Sequence, residues 1–276
     1  MPELPEVETV ARGLREPLVG RCVRGLWTDW PRIIHSPPAE ELAARIHGQC
    51  FRSVGRRGKY LLCALDSETL VVHLRMTGRL YVATDEARFA ADRWLHFRLQ
   101  LDGGQQLRFS DARKFGRIWL TADIDTVTGA LGPEPLSRQF TTRRLRADLA
   151  GRSRALKPLL LDQGFLAGVG NIYADEALHR ARLHPLRPAN SLNEAETAAL
   201  HRALRAALRA GIQHEGASIS WYRKPDGSRG SSQRHFRVYG RAGEPCPRCS
   251  TTIEKTVVAQ RGTHICPRCQ PARQAG

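Results

Sequence analysis

The chain has 276 residues, 41% hydrophobic and 25% charged, and 43 Lys and Arg against 27 Asp and Glu give it a formal net charge of +16. No apolar run approaches the length that spans a bilayer, and acidic residues from position 3 onward displace the basic and apolar regions of a secretion signal, so no membrane helix is expected and the protein is expected in the cytoplasm. A surface this basic suits a polyanion, nucleic acid first, ahead of a membrane surface, a ribosome or a simple coding bias toward Arg.

The chain opens "MPELPE". Removal of Met1, usual before a small residue, leaves Pro2 with a free secondary amine beside the carboxylate of Glu3, which is either a blunt terminus or a nucleophile. Apolar Val7, Val10, Ala11, Leu14 and Leu18 then recur at the spacing of one helical face, predicting a helix over 5–18 with Pro5 in its first turn. From 19 to about 120 the texture changes. The runs "YLLCAL", "TLVVHLRM", "RLYVAT", "WLHFRLQL", "QQLRFS" and "RIWLTA" are separated by Gly, Asp and Arg turns, which predicts a β-sandwich or barrel.

"LGPEPLS" at 131–137 reads as a linker, and the strand pattern stops there. Helical stretches follow in "TTRRLRADLAG", "ALKPLLLDQG", "NIYADEALHRARL" and the long "NEAETAALHRALRAALRAGIQHEG", which Asn193 caps. The next stretch, to about 241, is too rich in Gly, Ser and Arg for a core and reads as a long functional or disordered loop.

Seven cysteines without a secretion signal point to reduced thiols or metal, not to disulfides. Cys22, Cys50 and Cys63 stand alone in apolar settings, as core filler. Cys246, Cys249, Cys266 and Cys269 form C-x2-C-x16-C-x2-C, two knuckles that place four thiolates around one tetrahedral Zn2+. Four protein ligands leave no open position, so this metal is structural, and the hairpin between the knuckles presents Arg261 near its tip. Only Lys59, Lys114, Lys157, Lys224 and Lys255 are lysines, in a chain that otherwise uses arginine, so a lysine here is a candidate for specific chemistry.

Taken together, "MPELPEVETV", "GRRGKYL", "LRMTG", "DARKFGR", "LGPEPL", "GVGNIYADEAL" and "YGRAGEPCPRC…AQRGTHICPRCQ" resemble, in order from residue 1 to about 270, the formamidopyrimidine-DNA glycosylases. The resemblance implies an α+β multidomain fold: an N-terminal helix plus β-sandwich over 1–130, the linker 131–137, a helix-two-turn-helix domain over 138–239 with a lesion-recognition loop at about 216–236, and a zinc-finger β-hairpin over 240–272. It implies a monomeric base-excision enzyme that removes oxidised purines such as 8-oxoguanine from double-stranded DNA, and acts on abasic sites.

By that resemblance Pro2 is the Schiff-base nucleophile and Glu3 the proton donor, with Glu6 a lesser acid/base candidate. Lys59 serves β-elimination and Arg261 δ-elimination and a phosphate contact. Met76 and Phe115 fill the gap left by an everted base, Arg113 holds the estranged cytosine, and Lys157 and Asn171 bind phosphate. A Pro–Glu pair also opens helices, a Met or Phe in a β-like run also fills cores, and a lysine at a turn is also a solvated charge. A variation, "DARKFG" for the usual "DPRRFG", leaves the named positions intact. Two other readings remain: oxidised-pyrimidine specificity, as in the endonuclease VIII branch, against which Leu4 counts, and a zinc-ribbon DNA-binding protein without catalysis.

Overall fold

The computed structural model describes residues 1–83 and 92–272, and the chain divides into two units, Met1–Ala130 with His214–Ser231 and Leu131–Gln213 with Ser232–Gly276. The segment 214–231, which the sequence reading assigned to the helical domain, thus clusters with the N-terminal unit. Its ties run to residues some two hundred positions earlier, which local pattern cannot reveal.

The first unit opens with α1 (Leu4–Leu18), one residue longer than expected. Glu3 and Glu6 stand in the reciprocal arrangement of a capping box, the Glu6 carboxylate accepting the Glu3 N–H at 2.8 Å. Val7, Val10, Ala11, Leu14 and Leu18 are all buried, as their spacing predicted.

Among the described residues, nine strands in this unit build two sheets. The first has the order β1 (Val23–Thr28), β7 (Leu95–Leu101), β8 (Gln106–Ser110), β6 (Arg79–Ala83) and is antiparallel throughout. The second has the order β2 (Ile34–Ser36), β9 (Arg117–Thr121), β5 (Thr69–His73), β4 (Tyr60–Ala64), β3 (Ser53–Arg57), with β2 parallel to β9. Alternate residues of both sheets, Phe97, Leu99, Leu107 and Phe109 from one and Leu61, Leu70, Val72 and Ile118 from the other, share one core with the apolar face of α1. That is a sandwich. Six strands coincide with the six predicted runs, although Thr84, the end of "RLYVAT", lies outside the described residues. A short helix, α2 (Ala39–Ile46), buries Leu42 and Ile46 in the same core.

Cys22 and Cys50 correct one expectation. An isolated antiparallel bridge brings their Cα atoms within 3.9 Å, and they form a disulfide in place of separate core thiols. Cys63 is buried and free, as expected.

After the single turn α3 (Asp125–Thr128), the second unit contains α4 (Thr142–Ala150), α5 (Leu156–Leu160), α6 (Asn171–Ala181) and α7 (Glu194–Gln213). Asn193 caps α7 as its sequence implied: its side chain accepts the Glu196 N–H, and the Glu196 carboxylate accepts the Asn193 N–H, both at 2.9 Å. Buried Leu200, Ala203, Leu204, Ala207 and Leu208 give α7 a single apolar stripe, and it packs on α6. The hairpin β10 (Glu254–Val258) and β11 (Arg261–Ile265) completes the unit. Its two turn residues, Ala259 and Gln260, both take positive φ, as the tight twist of a two-residue turn requires. Among the described residues no helix is long and apolar enough to cross a membrane.

Candidate active site and metal centre

Pro2, Glu3 and Glu6 are all buried, because the capping box folds the terminus onto the start of α1. The terminal amine, carried here by Met1, is held below its ordinary value of 8.0 chiefly by burial; Lys59 and Arg113 push it in the same direction, while Glu3 and Glu6 oppose them. Burial is thus the first cause, ahead of the basic surround that the composition alone suggests. Five sequence candidates, Pro2, Glu3, Glu6, Lys59 and Arg113, therefore fall in one electrostatic neighbourhood.

Lys59 reaches it from the β3–β4 turn. Arg57 pairs with Tyr60, leaving Gly58 and Lys59 as the two turn residues, and Gly58 takes a φ of +55° that suits glycine at the first position. Although it sits at a turn, Lys59 is only 5% exposed, so it is no ordinary solvated charge. Nearby His73 on β5 was missed in the sequence. Burial, aided by Arg75 and Lys59, pushes it down to about 3, and its Nδ1 accepts the Arg75 N–H at 3.1 Å. A neutral ring bonded in this way carries its proton on Nε2.

The motifs "LRMTG" and "DARKFG" form two loops locked to each other by Asp111, which is fully buried. Its Oδ1 accepts from the Thr77 hydroxyl and from the Arg113 N–H at 3.3 Å, and its Oδ2 accepts the Gly116 N–H at 2.7 Å. Both motif glycines are there for space. A Cβ at Gly116 would lie 2.4 Å from the Phe109 ring, and one at Gly78 would lie 2.4 Å from the Leu74 carbonyl oxygen and 2.7 Å from the same ring. Arg75 and Lys114, at positive φ, immediately precede Met76 and Phe115. These two apolar side chains are 40% and 52% exposed, and Arg113 lies between the loops' anchor points, its N–H held by Asp111. The core-filling reading of Met76 and Phe115 is therefore wrong; they are apolar groups held out in water.

The 214–231 segment closes on itself, with Ala217 bridged to Ser231 and Gly230 N–H donating to Ser218 Oγ at 3.0 Å. Tyr222 enters the sandwich core, and its hydroxyl donates to Glu215 O at 3.1 Å. Glu6 Oε1 accepts the Ala217 N–H at 2.7 Å. One carboxylate thus holds both the chain terminus and this segment.

In the second unit the four sulfurs of Cys246, Cys249, Cys266 and Cys269 lie within 4.8 Å of one another. Cys249 is 3.4 Å from Cys266 and 3.5 Å from Cys269, and Cys246 is 3.9 Å from Cys269. A tetrahedral zinc with bonds of about 2.3 Å has S···S edges of roughly 3.8 Å, so the donor set fits one Zn2+ and leaves no position for a reactant. When bound, the metal supplies folding energy and no chemistry.

Lys157 does not occupy a surface position. It is fully buried, paired with Asp175 at 2.7 Å, and donates to Thr263 Oγ1 at 2.7 Å and Gly262 O at 3.1 Å. A direct phosphate contact would require it to leave an ion pair in the interior, so its observed work is to hold the hairpin. Asn171 Nδ2 donates to the same Gly262 carbonyl at 2.9 Å. Arg261, by contrast, is exposed at the start of β11, beside the turn. Asp175 and Glu176 are functional scaffold the sequence reading missed: Asp175 accepts the His264 N–H at 2.9 Å, and Glu176 accepts the N–H groups of Arg237, Val238 and Tyr239. Two adjacent acids in "NIYADEAL" were the available signal.

Family models match in chain order: the formamidopyrimidine-DNA glycosylase N-terminal domain over residues 1–118, the H2TH domain of the same enzymes over 131–223, and the zinc finger found in FPG and IleRS over 243–272. A formamidopyrimidine-DNA glycosylase of Roseiflexus sp. (strain RS-1) is 51% identical over 275 residues, 98% of this chain and 100% of that relative. Among solved structures, a complex between a mutant Lactococcus lactis FPG and a Fapy-dG containing DNA superposes with a TM-score of 0.91 at 36% identity, covering 98% of this chain and 100% of that one. A complex of the Lactococcus lactis Fpg with an abasic site containing DNA gives a TM-score of 0.90 at 36% identity, with the same coverage. Similarity that runs end to end through both the buried terminus and the four-cysteine ribbon decides the matter: the chain belongs to the formamidopyrimidine-DNA glycosylases, DNA glycosylases of base excision repair with AP lyase activity.

Proposed function

We propose that this glycosylase excises oxidised purines from duplex DNA with Pro2 as its nucleophile, once Met1 has been removed. The observation that carries the proposal is the terminal amine held below 8.0 by burial, with Glu3, Glu6, Lys59 and Arg113 around it. An α-amine needs far less depression than a lysine to be neutral near pH 7, since their reference values are roughly 8 and 10.4. Removal of Met1 moves the free amine onto Pro2, which is already buried.

The neutral Pro2 nitrogen attacks sugar C1′, the bond from C1′ to the base breaks with its electron pair leaving on the base, and the proton that the nitrogen sheds is taken up by the departing base. Glu3 gives its proton to the ring oxygen as the sugar opens, and the nitrogen becomes an iminium, cationic without an added proton. That ion acidifies C2′. Lys59 serves the β-elimination of the 3′ phosphate, and Arg261 the later δ-elimination of the 5′ phosphate. Glu6 acts through position, holding Glu3 N–H and Ala217 N–H so that terminus and loop keep one geometry.

Excision at a base requires that the base leave the stack, at a cost of a few kcal/mol. Met76 and Phe115, apolar and exposed on loops stiffened by Asp111, suit the vacated space, and Arg113 suits the unpaired cytosine. Arg261 and the amides before α6 suit phosphate. The partner is therefore double-stranded DNA carrying oxidised or abasic positions, and membership of this family supports binding as a monomer.

Strand scission tests the substrate class. Duplexes with one 8-oxoguanine opposite cytosine should be cut at least about tenfold faster than duplexes with one oxidised pyrimidine. The reverse order would assign the chain to oxidised pyrimidines, and binding without scission of either would leave only a DNA-binding role. Sedimentation of the complex, with one chain per duplex, checks the monomer.

A further inference from the structure

Helix α6 meets the zinc ribbon through three residues spaced four apart, which share one helical face. Asn171 and Asp175 hold the backbone of Gly262 and His264. His179, one turn further on, places its Nε2 3.3 Å from Cys246 Sγ. The ring is fully buried, and its Nδ1 has no hydrogen-bond partner among the described residues. The next segment is tied back here as well, Arg248 Nη1 donating to the His179 carbonyl at 3.3 Å.

A zinc ion with four cysteine thiolates is a doubly negative centre, and a metal-bound sulfur can only accept a hydrogen bond. Buried in protein, that charge is stabilised by any N–H aimed at sulfur. The imidazole nitrogen in contact with the cluster is Nε2, and a neutral ring has one proton to give. We propose that His179 is a positioning residue of the zinc centre, its Nε2–H donating to the Cys246 thiolate and tying the metal to the helix that grips the hairpin.

The inference rests on the four-cysteine site being loaded with Zn2+. Its consequence is that the metal and the hairpin bearing Arg261 are fixed to the same face of one helix. In His179→Phe the ring volume stays and the donor goes. In His179→Gln a donor is restored.

The test uses the full-length zinc-loaded protein, mixed with an excess of a chromophoric chelator, and follows metal release. His179→Phe should release zinc about 10–100-fold faster than the unaltered chain, the usual effect of losing a hydrogen bond to a metal ligand, and His179→Gln should recover much of the difference. Release from His179→Phe at the unaltered rate, with one zinc per chain in both, would overturn the proposal. A second measurement needs no variant: in the chain loaded with 113Cd and labelled with 15N-histidine, a through-bond coupling should connect the metal with the His179 Nε2–H. A proton found on Nδ1 and no coupling would overturn it too. An unaltered chain that holds no zinc at all would overturn both this inference and the metal centre beneath it.

Discussion

The two units of the chain manage buried charge in opposite ways. At the N-terminus two carboxylates and a lysine are gathered out of water beside an amine that partial burial pushes down, and apolar Met76 and Phe115 stand exposed on stiffened loops of the same unit. Around the zinc ribbon the charges close on one another: on the helices that meet it Lys157 pairs with Asp175 and Glu176 accepts three backbone N–H groups, and within it four sulfurs surround a metal position that has no open side. A shifted amine and exposed apolar groups are strain that a reaction can use, whereas satisfied charges give rigidity. The first region is the one proposed to react, and the second holds.

Blocking the reactive region at its nucleophile should have the largest effect. A chain extended at its N-terminus, with the Pro2 nitrogen locked in a peptide bond, should lose on the order of 10³-fold or more in single-turnover excision while binding an abasic-analogue duplex within a few-fold of the unextended chain. Equal activity in the two would mean the amine is scaffold after all. Stripping the metal should act on the other region: a chelator should weaken duplex binding on the order of tenfold or more, because the hairpin bearing Arg261 loses its clamp. Binding unchanged in zinc-free protein would break that half of the comparison.

The organisation of the chain was legible wherever pattern is local. Six strands are short runs rich in apolar and β-branched or aromatic residues bounded by Gly, Asp and Arg turns, α1 keeps one stripe, and the two CPRC knuckles define their own spacing. Strands β1 to β3 escaped because they are short or because glycine and arginine interrupt their alternation, as in "VRGLWT" and "SVGRR". What sequence could not show is contact across distance. Glu6 meets Ala217 across 211 positions, Lys157 meets Thr263 across 106, and Cys22 meets Cys50 only because an isolated bridge aligns them. Lys157 stood out as a rare lysine and the family resemblance gave it a phosphate, but neither signal distinguishes a phosphate ligand from a buried ion pair.

Smaller effects sharpen the same contrast. Gly116→Ala would drive a Cβ into Phe109, lowering stability by about 1–3 kcal/mol in thermal unfolding, and Phe109→Leu in the same chain should return part of the loss. Additive losses would mean the glycine serves something other than the ring beneath it. Arg261→Gln should leave the fold intact and reduce the slope of log binding constant against log salt by about one. An unchanged slope would remove Arg261 from the phosphate contacts.

The smallest effect is on pH. The proposed nucleophile works when neutral, so excision is expected to rise with pH through the Pro2 amine's own value, and if the buried setting that lowers the Met1 amine acts on Pro2 in the same sense the acid limb should lie below pH 8.0. Arg113 lowers it further, so Arg113→Ala should move the acid limb toward higher pH. A shift toward lower pH would reverse the assigned sign.

Pro2, as the proposed nucleophile, should carry the covalent intermediate. The direct measurement is to incubate the protein with a duplex carrying one 8-oxoguanine opposite cytosine, add borohydride and map the adduct by mass spectrometry. A reduced sugar is expected on Pro2 in chains that lack Met1. An adduct on Lys59, or none while the duplex stays bound, would contradict it.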